Sequence, residues 1–166
     1  MSTFEEWRSE LLFVGNIIQD SDSTVGSDEA ERRFNRYIEM LDSLDGTEGP
    51  EYAQTIFESI QATDDYGAYQ SAGHCAWKFG EEIFCKSLIH ELPRLINEQP
   101  DWAGDFLVSI ANGVGTEHQS VIDTFNSLLA SLPSETQSVI SKYISDEEQS
   151  ESGWLINRVG VLGVNA

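Results

Sequence analysis

The chain has 166 residues, is 40% hydrophobic, and carries 29 acidic against 9 basic residues, a formal charge of -20. A chain this long buries about two-thirds of the surface it exposes when unfolded, so the expectation is one self-sufficient domain over residues 1–166. The charge lies far beyond the magnitude of roughly 2 to 8 that solubility asks of a small domain; it repels phosphate backbones and anionic lipid and draws in basic partners. The expected function therefore involves neither direct nucleic-acid binding nor a membrane.

The acidity is not a tail. Acidic residues outnumber basic ones 12 to 4 in residues 1–50, 8 to 3 in 51–100 and 9 to 2 in 101–166. The first residues, Met1-Ser2-Thr3-Phe4-Glu5-Glu6-Trp7, combine neither a basic nor an apolar leader segment, and no run approaches the roughly 18 apolar residues that span a bilayer. Two cysteines are too few for a disulfide framework, and a cytoplasmic location is expected.

Phe4, Trp7, Leu11, Val14 and Ile18 recur at three- and four-residue spacing and predict an amphipathic helix that stops before the polar run QDSDSTVGSD. Ser27 or Asp28 can cap a second helix with an acidic first turn and an inner face of Phe34, Tyr37, Ile38, Leu41 and Leu44, broken at DGTEGP. Pro50 opens a third, with Tyr52, Ile56, Phe57 and Ile60 inward.

The stretch TDDYGAYQSAGHCAWKF, residues 63–79, predicts a helix from Tyr66 to Phe79, capped by Asp64 or Asp65 and ended by Gly80. Ile83 to Ile96 continues helically, with Pro93 expected to kink or divide it. Asp101–Ala111 is a short helix before the glycine-rich NGVGT turn, and Val121–Leu129 forms another. Ser134 and Gln137 have capping-box spacing at the head of a last helix, and the segment from Gly153 to Val164 reads as a final helical turn or a packed irregular piece. The fold expected is all-α: seven or eight short antiparallel helices in an irregular bundle or a short HEAT-like stack.

Chemistry finds no constellation. His74, Cys75, Cys85, His90 and His118 lack the paired spacing of a structural zinc site, so no metal and no cofactor is expected. His74 and Cys75 are neighbours that project about 100 degrees apart on a helix, out of reach of each other. The acid pairs Asp64-Asp65, Glu81-Glu82 and Glu147-Glu148 carry little information in so acidic a chain, and NGVGT lacks the lysine of a phosphate loop. The expectation is a protein that is not an enzyme.

What remains is a surface. Tyrosine and tryptophan anchor interface hot spots and carboxylates beside them match arginine and lysine, which makes Asp64, Asp65, Tyr66, Tyr69, Trp77, Glu81, Asp101 and Trp102 the candidate partner-binding residues. Tyr66, Tyr69, Gly73, Ala76 and Phe79 also form one helical stripe, so the tyrosines serve either a partner or the packing of two helices, and exposure of Tyr66 and Asp65 separates the two.

Residues 56–113 carry T-D-D-Y-G-x-Y from Thr63, Ala76-Trp77-x-Phe79, Leu92-Pro93-x-Leu95-Ile96, Trp102-Ala103-Gly104 and Ala111-Asn112-Gly113. About a third of the chain in this way resembles helical immunity proteins of bacterial polymorphic toxin systems, including contact-dependent growth inhibition. The resemblance implies a non-enzymatic cytoplasmic antidote that forms a one-to-one complex with a toxin domain. Many such toxins are basic nucleases, RNases among them, and the antidote blocks the active site or substrate surface. The alternative is a helical-repeat adaptor that binds a peptide or regulatory protein through an apolar groove.

Overall fold

The computed structural model of the protein describes residues 3–164, and among these it holds eight α-helices and no strand. They are α1 (Phe4–Gly15), α2 (Ser27–Asp42), α3 (Pro50–Glu58), α4 (Ala68–Trp77), α5 (Glu81–Glu98), α6 (Pro100–Ala111), α7 (Gln119–Ala130) and α8 (Ser134–Gln149). None is long and apolar enough to cross a membrane. The packing divides into two compact units, Met1–Ser87 and Leu88–Ala166, with the boundary inside α5.

In the first unit α1 packs on α2 and α3, and α4 packs on the same two, the adjacency of two helical hairpins laid one against the other. Leu11, Tyr37, Leu41, Ile56, Phe57, Ile60, Tyr69 and Phe84 are fully buried there. Each such side chain contributes about 1.5–3 kcal/mol through removal of apolar surface from water. Ile17 rather than Ile18 is the buried residue after α1, because α1 ends at Gly15 and the chain turns before either isoleucine.

Two polar bolts cross this core. The Tyr37 hydroxyl shares a 2.7 Å hydrogen bond with Ser59. The Tyr69 hydroxyl donates to the Gly15 carbonyl at 2.8 Å and accepts from the amides of Gln61 at 3.0 Å and Ala62 at 2.7 Å. Gly15 is required by close approach: a Cβ there would lie 2.9 Å from both Ser59 Cβ and Tyr37 Cε2.

Helix starts depart from the expected caps. A capping box forms at Thr3 and Glu6, with Glu6 N–H donating to the Thr3 hydroxyl and Thr3 N–H to the Glu6 carboxylate. At α2 the boundary residue is Gly26 and Ser27 is already helical, so neither Ser27 nor Asp28 caps. At α8 Pro133 holds the boundary, Ser134 is in the first turn, and the Gln137 side chain reaches back to the Leu129 carbonyl instead of closing a box. Pro93 does not divide α5, which runs unbroken through it. One backbone bond is lost there, while Leu92 and Leu95 on either side are fully buried and hold the turn in place.

In the second unit α6 packs on α7, and Phe125, Leu107, Leu129 and Ile140 fill the core. Residues 150–164 form neither helix nor strand but a strap of turns. Leu155 and Leu162 point inward and are buried. The Trp154 amide donates to Glu147, the Gly160 amide to Glu148, and Asn126 both donates to the Val161 carbonyl and accepts from the Gly163 amide. Trp154 lies over Gly104, where a Cβ would come within 2.1 Å of its ring.

Candidate protein-binding surface

The segment before α4 is not helical. Tyr66 has φ 51 and Gly67 φ 90, so the chain passes through two left-handed residues before Ala68 begins the helix. For tyrosine this conformation costs on the order of 1–3 kcal/mol and needs support from its neighbours. Support comes from both sides. The Asp65 carboxylate accepts from the Tyr69 amide at 2.8 Å, capping α4 although Gly67 is the boundary residue, and the Tyr66 hydroxyl accepts from the Asp20 amide at 3.2 Å.

The loop between α1 and α2 meets this turn through a second pair of bonds. Gln19 Nε2 donates to the Asp64 carbonyl at 2.8 Å and Gln19 Oε1 accepts from the Asp64 amide at 3.0 Å. The Gln19 amide thus imitates a strand partner and fastens two loops 45 residues apart. Because it is the backbone of Asp64 that is held, the exposed carboxylate faces water. Asp20 and Asp22 lie in the partner loop, where the Asp22 carboxylate is kept low in pKa by the Thr24 hydroxyl and amide.

The two tyrosines therefore part. Tyr66 is 50% exposed and stands on the surface among Asp20, Asp64 and Asp65, of which Asp65 is half-buried. Tyr69 is fully buried and is removed from the contact set: as the second residue of α4 it points into the core, where its hydroxyl satisfies three backbone groups.

Trp77 is half-buried and stacks on Phe84, ring centroids 3.7 Å apart at 11°, so its main contact is internal. Glu81 opens α5 and is half-buried, placed where a carboxylate complements the helix dipole. Asp101 and Trp102 belong to the second unit: Asp101 is exposed in the first turn of α6, and Trp102 is half-buried against Phe106 at 5.9 Å. The residues brought together by hydrogen bonds are thus Asp64, Asp65 and Tyr66, joined by Gln19 and Asp20, which sequence reasoning missed. Gly67 signalled a break before the helix, but nothing local in the sequence signalled Gln19 or Asp20. Phe13, 54% exposed under the Arg33 guanidinium at 4.2 Å, was missed as well.

The nine basic side chains share one property. Arg8 pairs with Glu58, Arg32 and Arg33 with Glu29, Arg36 with Glu10 and Glu39, Lys86 with Glu82, Arg94 with Glu91 and Glu98, and Lys142 with Asp146. Lys78 donates to the Leu44 carbonyl, and Arg158 donates to Asn112 and Asn157. Every cation has an internal acceptor. The Arg32 hydrogen bond, followed by that of Arg33, pulls the Glu29 carboxyl down to about 2, and Arg36 lowers Glu10. Such surface pairs contribute little stability, about 0–1 kcal/mol each, but they neutralise the positive charges locally and leave the remaining carboxylates to set the outer field.

Cys75 and Cys85 are buried, and desolvation pushes their thiols up to about 11 and about 12. The Cys75 thiol donates to the Leu41 carbonyl at 3.3 Å. Both are held as thiols, the opposite of what a nucleophile needs. Among the described residues no group of three or more His, Cys, Asp or Glu side chains is arranged to hold a metal. Comparison of the chain with protein-family models, with curated proteins and with solved structures gives no match.

Proposed function

We propose that this chain is a non-catalytic immunity-type protein of the cytoplasm that binds a cationic toxin domain, a nuclease and most readily an RNase, and covers its substrate-binding surface. The observation that carries the reading is the asymmetry of charge: all nine cations have an acceptor within the chain, while Asp20 and Asp64 stand in water around a half-exposed Tyr66. A surface that binds RNA must itself be basic, so a protein offering carboxylates in place of phosphates competes for the same side chains.

The mechanism has two steps. The field of charge -20 steers the cationic partner in, and rate enhancements of about 10- to 1000-fold are typical where such surfaces match. Docking then sets Tyr66 against the partner while Asp20 and Asp64 take up arginine or lysine. Because the Gln19 bonds and the Asp65 cap already fix both loops, little ordering entropy is spent on binding. No covalent chemistry is involved, and protection follows from occlusion in a one-to-one complex.

Co-expression tests this. The chain is expressed with cationic RNase toxin domains, first among them the C-terminal domain of any large secreted protein encoded beside its gene, and growth rescue with co-purification at one-to-one stoichiometry is the result expected. Failure of the chain to restore growth or to co-purify would remove the immunity reading.

A further inference from the structure

The strap of the second unit carries a feature that the loops of the first unit do not use. Among the described residues, four of the eight large apolar side chains that are exposed lie in this short segment: Trp154 at 41%, Ile156 at 39%, Val159 at 65% and Val164 at 44%. Trp154 is partly seated over Gly104, but Ile156, Val159 and Val164 contribute little to the core, which the strap reaches through Leu155 and Leu162. Yet the strap is not loose: Glu147, Glu148 and Asn126 hold its backbone at Trp154, Gly160, Val161 and Gly163. Exposed apolar side chains grouped on one segment, unlike ones scattered singly, point to an interaction site.

Beside it lies an open recess of about 280 Å³ lined by Asp123, Asn126, Ser127 and Ala130. Asn126 belongs to both features, since it lines the recess and clamps the strap at Val161 and Gly163. The exposed Asp123 carboxylate accepts only a 3.1 Å bond from the Gln119 amide among the bonds described for it, and Glu151 at the start of the strap is also exposed. Arg158, the one cation in the strap, has its guanidinium turned onto Asn112 and Asn157. The recess therefore offers one exposed carboxylate, Asp123, and Asn126 joins it to the strap residues that flank Val159 and Val164.

That chemistry selects the occupant. A second copy of this chain would set one charge of -20 against another and is disfavoured by repulsion. We infer that the outward face of the strap and the Asp123 recess form a docking surface for a segment of a protein partner that combines a basic residue, seated at Asp123, with apolar side chains laid on Val159 and Val164. The inference rests on the cationic-partner reading above and adds to it a second contact, with hydrophobic anchoring where the first is chiefly electrostatic.

The test uses the intact chain, isotope-labelled, titrated with three short synthetic peptides: an amphipathic Lys/Leu helix former, a Lys/Ser peptide of equal charge, and a Glu/Leu peptide of equal apolarity. The Lys/Leu peptide is expected to shift backbone resonances in residues 154–164 and around Asp123. Its Kd is expected to weaken about tenfold in Val159→Asp and several-fold in Asp123→Asn, with the Lys/Ser peptide binding more weakly to the native chain. Val159 is the most exposed of the four and Asp123→Asn keeps the side chain's shape, so both variants are expected to give the native circular dichroism spectrum. Shifts confined to Asp20, Asp64 and Tyr66 would overturn the strap inference while leaving the antidote reading intact. Equal binding of the Glu/Leu peptide, no shift at any site, or a dimer of the free chain that Val159→Asp abolishes would overturn it too. The antidote reading fails separately, in the growth test.

Discussion

The hydroxyl of Tyr69 donates a hydrogen bond of 2.8 Å to the carbonyl of Gly15, across 54 residues of sequence. This bond ties the start of α4 to the end of α1, and through the Gln61 and Ala62 amides it also fixes the chain leaving α3. The acidic loops stand on that joint.

Tyr69→Phe leaves the Gln61 and Ala62 amides without their acceptor while preserving the ring, and the Gly15 carbonyl keeps the Ile17 amide. Removing one side of a buried hydrogen bond costs about 1–3 kcal/mol per stranded group, and partial rescue by water holds the total near that range. Urea unfolding of the variant should show a lower midpoint with an unchanged slope. An unchanged midpoint would mean that the joint contributes nothing.

Gln19→Ala removes both bonds to the Asp64 backbone but leaves every carboxylate in place. Global stability should fall by about 1 kcal/mol or less per bond, since the site is exposed. The amide of Asp64, which now has no acceptor, should exchange hydrogen faster, as should that of Asp20, whose acceptor on Tyr66 is loosened. Affinity for a cationic partner should weaken through slower docking of a mobile loop. Exchange rates identical to the native chain would contradict the role given to Gln19.

The thiols give a prediction with a definite sign. Burial raises Cys75 to about 11 and Cys85 to about 12 from an ordinary value of 9.0, so the folded chain holds these protons more tightly than the unfolded one. The stability they contribute is complete below pH 9 and is lost as pH rises through 9 toward 11 and 12. Accordingly, iodoacetamide at pH 8 should leave both cysteines unmodified in the folded chain and label both in urea, as read by mass spectrometry. Rapid labelling of the folded chain would refute the assignment of both as packing residues.

Gly104→Ala places a methyl group where the Trp154 ring lies. Because the overlap is with a ring and not a flexible side-chain end, the strap must shift, at a cost of about 1–3 kcal/mol. The expected result is a lower melting temperature with a red-shifted tryptophan emission as Trp154 leaves its seat. Retention of both would place the strap elsewhere.

The all-helical fold was legible because apolar residues recur at helical spacing in nearly every segment, and Pro50, Gly80 and the NGVGT turn punctuate them. Tyr66 and Tyr69 show where that reasoning stops. Their three-residue spacing places them on one face only if both are helical, and the left-handed φ of Tyr66 breaks the premise. That conformation depends on Asp20, 46 residues from Tyr66, and on Gln19, 45 residues from Asp64, and no local pattern announces such bonds. The capping box teaches the same lesson at smaller scale. Thr3 with Glu6 and Ser134 with Gln137 have equal spacing, but only the first closes, because Pro133 holds the boundary position before α8 and Gln137 finds the Leu129 carbonyl instead. The charge asymmetry was half legible: the sequence states how many acids and bases there are, but only packing reveals that each base has an internal acceptor.

The most direct test of the central claim is the association rate of the chain with the cationic toxin domain proposed as its partner, measured by stopped flow across ionic strength. The account predicts a rate that falls steeply with added salt and, at low salt, drops by about tenfold or more when Asp20 and Asp64 are both changed to lysine, with the melting temperature unchanged. An association rate indifferent to salt and to the Asp20→Lys, Asp64→Lys double change would contradict it.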